Sequence, residues 1–241
     1  MSLQALSMAF PDITGSGVKN TGSFMHVIIF AGGTVRPGKA VAQALESADM
    51  IIAADRGAAT ALQLGHVPSI VVGDFDSLEA LPLHQLEARG SQIIRVAAEK
   101  DETDTELAVQ TAIECGATTI TILGALGGSR FDHTIANVML LAGFESPALR
   151  IVDGPSTCWL LRGSGSSAIN GHSGDLLSLI PLTAEASGIC STNLYYPLRN
   201  ETLRFGKPRG VSNVLTSDYA EVSLQSGLLL IIHTDVQELA D

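Results

Sequence analysis

From Phe24 to Leu149 two kinds of segment alternate, and that alternation leaves few folds open. Continuous apolar and β-branched runs, MHVIIFAGG, DMIIAADRG, SIVVGDFDS, SQIIRVAAEKD and TTITILGALGG, read as strands buried on both faces. Between and after them lie GKAVAQALESA, AATALQLG, LPLHQLEARG, DTELAVQTAIECG and HTIANVMLLAGF, which read as helices. Strand, helix and strand repeated in this way predict a parallel sheet wrapped by helices. Gly65, Gly90 and Gly116 close three helical stretches, where the chain must turn left-handed.

Beyond Arg150 the helical spacing stops. GDLLSLIPL, GICSTNLYYPL, ETLRFG, GVSNVL, AEVSLQSG and GLLLIIHTD are short runs broken by Gly, Pro, Asn and Asp. They predict an antiparallel β-sandwich. The expected plan is therefore a flexible extension over 1–23, a Rossmann-like α/β domain over 24–149, and a β-sandwich over 150–241. The stretch RIVDGPSTCWLLRGSGSS is expected to bridge the two domains, with its Gly/Ser tip a mobile hairpin or loop.

Composition narrows the partners. With 14 basic against 25 acidic residues among 241, the net charge is −11. That balance argues against nucleic acid or an anionic membrane surface, both of which need a basic face. The apolar runs are too short to span a bilayer. Cys115, Cys158 and Cys190 follow neither a zinc nor a disulfide spacing and read as free thiols of a cytoplasmic protein.

Acidic groups stand where the predicted strands end. Asp55 follows IIAA, Asp74 and Asp76 follow IVVG, Asp101 and Asp104 follow IIRVAAEK, and a glycine loop (Gly124, Gly127, Gly128) follows ITIL. In an open α/β sheet all parallel strands end on one edge, and ligands bind beyond it. Topology thus predicts a shared rim of carboxylates, whose hard oxygens suit Mg²⁺. Glycine N–H groups beside Arg130 supply a phosphate cradle, and His133 adds a donor. Each residue alone has a plainer reading. Thr103 and Glu106 make a capping box ahead of Asp104, Asp76–Ser77 reads as a turn, and Asp132 reads as a cap for the following helix.

Two other motifs compete. GTVRPGKA nearly spells a phosphate-binding loop, but Ala40 replaces the metal-binding hydroxyl, so it reads as a chance match. DFDSL is similar to the start of aspartyl-nucleophile phosphatases, although Leu78 breaks that pattern.

Taken in order, AADRGA, GDFDS, Asp101-x-x-Asp104, GGSRFDH running to Asn137, then SLIPL, YYPL, GVSN and GLLLIIH resemble the thiamine pyrophosphokinase family across residues 25–235. The resemblance implies a homodimer with active sites between subunits, and transfer of pyrophosphate from Mg²⁺–ATP to thiamine. Carried over by motif, Asp74, Asp76 and Asp104 would hold Mg²⁺, with Asp55 and Asp101 nearby. Arg130, Asp132, His133 and the 124–128 loop, with Gly73, Ser77, Lys100 and Thr103, would hold the nucleotide. Ser212 and Asn213, with Tyr196 as a stacking aromatic, would reach thiamine. Two departures stand out: Ser129 displaces Arg130 by one position, and Lys100 stands where some relatives carry glutamine. A cation there is expected to point toward phosphate. A hydroxymethylpterin pyrophosphokinase, a phosphatase with Asp74 as nucleophile, and a non-catalytic nucleotide sensor are the alternatives.

Overall fold

A computed structural model describes residues 24–75 and 83–239. The expected 1–23 extension lies outside the described residues, as do Asp76 and Ser77.

The first half runs β1 (His26–Phe30), α1 (Lys39–Glu46), β2 (Met50–Ala54), α2 (Gly57–Gln63), β3 (Ile70–Gly73), α3 (Leu83–Ala88), β4 (Gln92–Arg95), α4 (Asp104–Glu114), β5 (Thr119–Leu123), α5 (Phe131–Gly143) and β6 (Ala148–Asp153). These six strands are parallel and ordered β6-β5-β1-β2-β3-β4. Both faces are covered, which is why their sequences are continuously apolar rather than alternating. Val27 and Ile29 of β1 pack with Leu107 and Ala108 of α4 and Leu141 of α5. Ile28 and Phe30 face the opposite way, toward Val41 and Ala44 of α1 and Ala58 and Ala61 of α2. Burying such a side chain contributes about 1.5–3 kcal/mol relative to leaving it exposed. Gly65, Gly90 and Gly116 have φ of 85°, 95° and 90°, as their positions after helices predict.

The second half contains β7 (Ser156–Arg162), β8 (Gly165–Asn170), β9 (Leu176–Pro181), β10 (Glu185–Thr192), β11 (Arg199–Arg204), β12 (Asn213–Val214), β13 (Tyr219–Leu224) and β14 (Leu228–Thr234). Strands β11-β10-β13-β8 form one antiparallel sheet. It closes over β9, β14 and β7 around Ile169, Leu177, Leu179, Ile189, Val222, Leu229 and Ile231. The expected β-sandwich is present.

Its second layer, however, is not a separate sheet. Strand β7 pairs antiparallel with β6, and β14, β9 and β12 follow outward, giving one ten-stranded sheet through both halves. The expected division at 149/150 consequently falls inside β6, whose register to β5 pairs Leu149 with Ile120. At the Gly/Ser tip, only positions 163–164 stand between β7 and β8. Gly165, Ser166 and Ser167 are already in β8, paired with Leu224, Ser223 and Val222. The phosphate-loop lookalike turns elsewhere: Lys39 Nζ lies 3.6 Å from Asp235 and 3.8 Å from Glu238, so the chance match stands.

Candidate active site

Strand order reverses at β1. From β1 the chain steps outward through β2, β3 and β4, then crosses back to place β5 on the other side of β1. The crevice beyond the carboxyl ends of β1 and β5 is where such sheets bind ligands. A cleft of about 470 Å³ opens there.

Two glycine turns form its floor. The Gly33 N–H donates to the Gly124 carbonyl at 3.0 Å, and Ala31 N–H to Leu123 O at 2.8 Å. A Cβ on Gly33 would land on the carbonyl oxygens of Gly127 and Gly124, so the two turns can touch only as bare backbone. Asn137 on α5 braces the second turn, its Nδ2 donating to Ala125 O at 2.9 Å.

Carboxylates form the opposite wall. Asp55 and Asp74, directly after β2 and β3, line the cleft with Asp104 at the start of α4. Asp55 has φ of 42° and Phe75 has φ of 61°, a conformation that non-glycine residues adopt at a cost. Gly73 lets the two strand ends meet, since a Cβ there would sit 3.1 Å from Asp55 Cα. Thr103 accepts the Glu106 N–H at 3.2 Å, so it caps α4 as well as lining the cleft.

Lys100 stands among these acids. Its Nζ lies 3.0 Å from Asp104 Oδ1 and 3.5 Å from Asp74 Oδ2. Burial works against the ammonium charge, yet the pairing with Asp104 and Asp74 outweighs it and raises the Lys100 pKa. Burial likewise raises the pKa of Asp104, opposed by Lys100 and reinforced by Asp74 and Asp55. Asp104 Oδ1 is buried and receives no hydrogen bond of proper angle; the Lys100 contact is an ion pair by distance alone. A buried carboxylate oxygen without a directed donor, with a tethered cation beside it, suits a divalent ion. The residues present therefore fit Mg²⁺, which Asp74 and Asp104 would hold. Among the described residues the acids of this rim do not form a ready-made group of three ligating atoms.

Of the residues expected at the site, Asp55, Asp74, Thr103, Asp104, Gly124, Gly127, Gly128, Arg130 and His133 line one cleft. Lys100 points at the acids, not at the phosphate cradle as expected. Asp101 is exposed and is not among the cleft-lining residues. Asp132 does not cap α5. It binds Arg130, whose Nη2 donates to Asp132 Oδ2 at 2.6 Å, and this pairing holds the Asp132 carboxyl at about 2. The Ser129 displacement leaves Arg130 at the cleft, though engaged by Asp132.

Tyr196, Ser212 and Asn213 are not brought to this cleft within one chain. Asn213 Oδ1 accepts the Tyr196 N–H at 3.0 Å and its Nδ2 donates to Tyr196 O at 2.8 Å, fixing the two segments together. Tyr196 is 65% exposed. Sequence reasoning missed Arg56, Thr105 and Thr134, which also line the cleft. The signal for Arg56 was available: a cation directly after Asp55 must stand at the same strand end.

Fold and site together define an α/β protein with a glycine- and carboxylate-lined cleft at its sheet's switch point, a setting suited to a phosphorylated ligand. The profile described as thiamin pyrophosphokinase, catalytic domain, matches residues 41–152, and that described as thiamin pyrophosphokinase, vitamin B1 binding domain, matches residues 168–229. The thiamine pyrophosphokinase of Bacillus subtilis is 29% identical over 185 residues, covering 76% of this chain and 86% of the relative. A crystal structure of the Bacillus subtilis protein superposes with a TM-score of 0.77 at 27% identity, over 88% of this chain and 99% of that one. The Candida albicans structure, at 19% identity and a TM-score of 0.72, covers 88% of this chain and 90% of its own and shares the fold. This chain belongs to the thiamine pyrophosphokinase family.

Proposed function

We propose that the chain catalyses ATP + thiamine → AMP + thiamine diphosphate, as a cytoplasmic homodimer. What carries the reading is the joining of two features: a glycine- and carboxylate-lined cleft at the sheet's switch point, and a β-sandwich matching a vitamin B1 binding domain. The second feature favours thiamine over a pterin and an acceptor alcohol over simple phosphatase chemistry.

In this reaction the thiamine hydroxyl oxygen bonds to the β-phosphorus, the α–β bridging P–O bond breaks with its electrons leaving on AMP, and the hydroxyl proton departs. Mg²⁺ held by Asp74 and Asp104, with Asp76 in the same motif, would supply charge neutralisation on the transferring group. The chain's own tasks are alignment and charge placement. Backbone N–H groups of the 124–128 turn would orient the phosphates, and Arg56 and Arg130 stand at the mouth to meet their charge. Once released from its acids, Lys100 is a second mobile cation.

The homodimer is supported by what a single chain leaves uncovered. Phe131, Ile135 and Met139 stand at successive i+4 positions along the outer face of α5, exposed by 74%, 44% and 64%. Tyr196 and Ser212 lie outside their own chain's cleft, as residues that serve a partner's cleft must. Three free cysteines support a reducing compartment, and among the described residues no helix is long and apolar enough to cross a membrane.

A coupled AMP-release assay with thiamine, with and without Mg²⁺, tests the reading. AMP release is expected only with thiamine and Mg²⁺ together, and Asp74→Asn is expected to lower turnover by about 10²-fold or more with circular dichroism unchanged. Thiamine-independent phosphate release, or wild-type turnover in Asp74→Asn, would overturn it.

A further inference from the structure

A second cavity, of about 710 Å³, lies between α1, the β6–β7 hairpin and β8, and shares no lining residue with the cleft. Its walls carry an unusual cation. Strand β6 alternates: Leu149 and Ile151 face one core, while Arg150 and Val152 face the other side. Val152 is buried there, so Arg150 occupies a position where an apolar side chain is the ordinary choice.

A buried relay aims this guanidinium. Arg150 Nε donates to Thr121 Oγ1 at 2.7 Å. Having accepted there, the Thr121 hydroxyl directs its own hydrogen to His26 Nε2, at 2.8 Å. His26 Nδ1 then carries the ring proton and donates to Ser47 O at 3.2 Å. Thr121 and His26 are 0% and 3% exposed, so the chain is locked by packing. Burial lowers the His26 pKa, and Arg150 lowers it further, which keeps the ring neutral.

The carboxylates on the cavity wall all have partners of their own. Asp175 Oδ2 accepts from His172 N–H at 2.8 Å and pairs with His233 Nε2 at 2.9 Å, while Oδ1 takes Val236 N–H at 3.2 Å. Asp235 Oδ1 accepts Gln237 N–H at 2.9 Å, and Glu238 Oε1 accepts Lys39 N–H at 2.9 Å. With its oxygens so engaged, Asp175 makes the His172–Asp175–Asp235 group a hydrogen-bonded hub rather than an open metal site. Arg150 is the exception. Among the described residues no carboxylate pairs with it, and burial alone shifts its pKa, downward. A half-buried guanidinium held by a neutral relay and lacking a counter-ion is costly unless an anion joins it.

The neighbour on the next strand fixes what else the site offers. Arg150 and Trp159 are direct cross-strand partners, and both line the cavity. Trp159 Nε1 donates to Ser167 Oγ at 3.0 Å, which pins the indole. We propose that this cavity is a second ligand site, taking a small molecule whose phosphate or carboxylate group binds the Arg150 guanidinium and whose remaining body packs against Trp159.

Trp159 is the only tryptophan in the chain, so intrinsic fluorescence reads this cavity and not the cleft. The full-length protein is titrated, without nucleotide, with inorganic phosphate in one arm and citrate in the other. A saturable change in one arm identifies the anion class, and in both arms a general anion site. Arg150→Met is expected to weaken that response by about tenfold or more, since a charge-assisted bidentate contact is lost. Should Arg150→Met fail to fold, Gln43→Glu on the exposed wall of the cavity is expected to weaken it several-fold by placing a negative charge there. No saturable response in either arm, or one that the Arg150 and Gln43 variants retain in full, sinks the proposal.

Discussion

Lys100 decides how the acidic rim behaves before any ligand arrives. Its ammonium lies against Asp104 and Asp74, the two carboxylates that would hold a divalent ion. A metal therefore competes with a tethered cation already present at high effective concentration. In Lys100→Gln the competitor is gone, and the neighbouring carboxylates repel each other until an ion joins them. Calorimetric titration of Mn²⁺ without nucleotide is expected to show affinity raised by about tenfold. Thermal melting without metal is expected to show a loss of roughly 1–3 kcal/mol, the cost of stranding a half-buried carboxylate, recovered as Mn²⁺ saturates. Unchanged Mn²⁺ affinity would show that Lys100 does not compete for the ion. The sequence made half of this legible. Lys100 and Asp104 are four residues apart, near enough in sequence to meet across the turn that leads into α4. The reach to Asp74 depends on β3 lying beside β4, which no local pattern states. The Arg130–Asp132 pair was hidden for a different reason: two neighbours each suited to phosphate or to capping are also suited to one another.

At the scale of elements, strands covered on both faces announce themselves, because most residues in them must be apolar. β1 to β5 were legible on that ground, and Gly65, Gly90 and Gly116 marked the helix ends. The continuity of the sheet was not. Strand β6 resembles its parallel neighbours, and the turn that sends β7 back along it is Gly154–Pro155, closed between Asp153 and Ser156 with Gly154 at φ of 54°. That two-residue, glycine-led hairpin is a readable signal, overlooked because the whole stretch read as a bridge between domains. Asp175 shows what holds the far end of the sheet. It sits just before β9, is 1% exposed, and ties the 171–175 turn to His233 of β14 and to Val236. Burial pushes its pKa up, but the donors from His172, His233 and Val236 outweigh it and lower the folded value. A lowered folded pKa contributes stability above the unfolded carboxyl value, near 4, and that contribution disappears as pH falls through the folded value. Asp175→Asn is expected to lose about 2 kcal/mol at pH 7 in urea denaturation. Its stability is expected to fall less steeply than wild type below about pH 4. Parallel acid profiles for the two proteins would show that the Asp175 carboxylate is not what titrates.

For the molecule as a whole, the arrangement of one chain leaves the cleft apart from the sandwich residues proposed to meet thiamine. The cleft sits on the carboxyl edge of the parallel strands, whereas Tyr196 and Ser212 stand exposed on the sandwich, outside it. The stripe of Phe131, Ile135 and Met139 begins at the mouth of the cleft, right after Arg130, so whatever covers it also borders the site. A two-fold partner satisfies both requirements at once, because an isologous contact that lays one sandwich over the other's α5 is repeated in reverse. Burying each large apolar side chain of the stripe contributes about 1.5–3 kcal/mol to such an association. If the proposed dimer forms through this stripe, the wild type is expected to sediment as a dimer, and Met139→Glu, at an exposed helix position, to fold normally but sediment as a monomer with turnover lost in step. Complementation separates a shared site from mere association. Asp104→Asn removes a cleft carboxylate and Tyr196→Ala removes the sandwich aromatic; each homodimer is expected to be impaired at both sites. Unfolded together and refolded at equal ratio, half of the dimers are mixed, and each mixed dimer holds one site with both defects and one with neither. Activity is then expected to rise to about a quarter of wild type. If each site were built within a single chain, mixing would yield only the mean of the two variants, and the shared-site arrangement would be wrong even with the dimer intact.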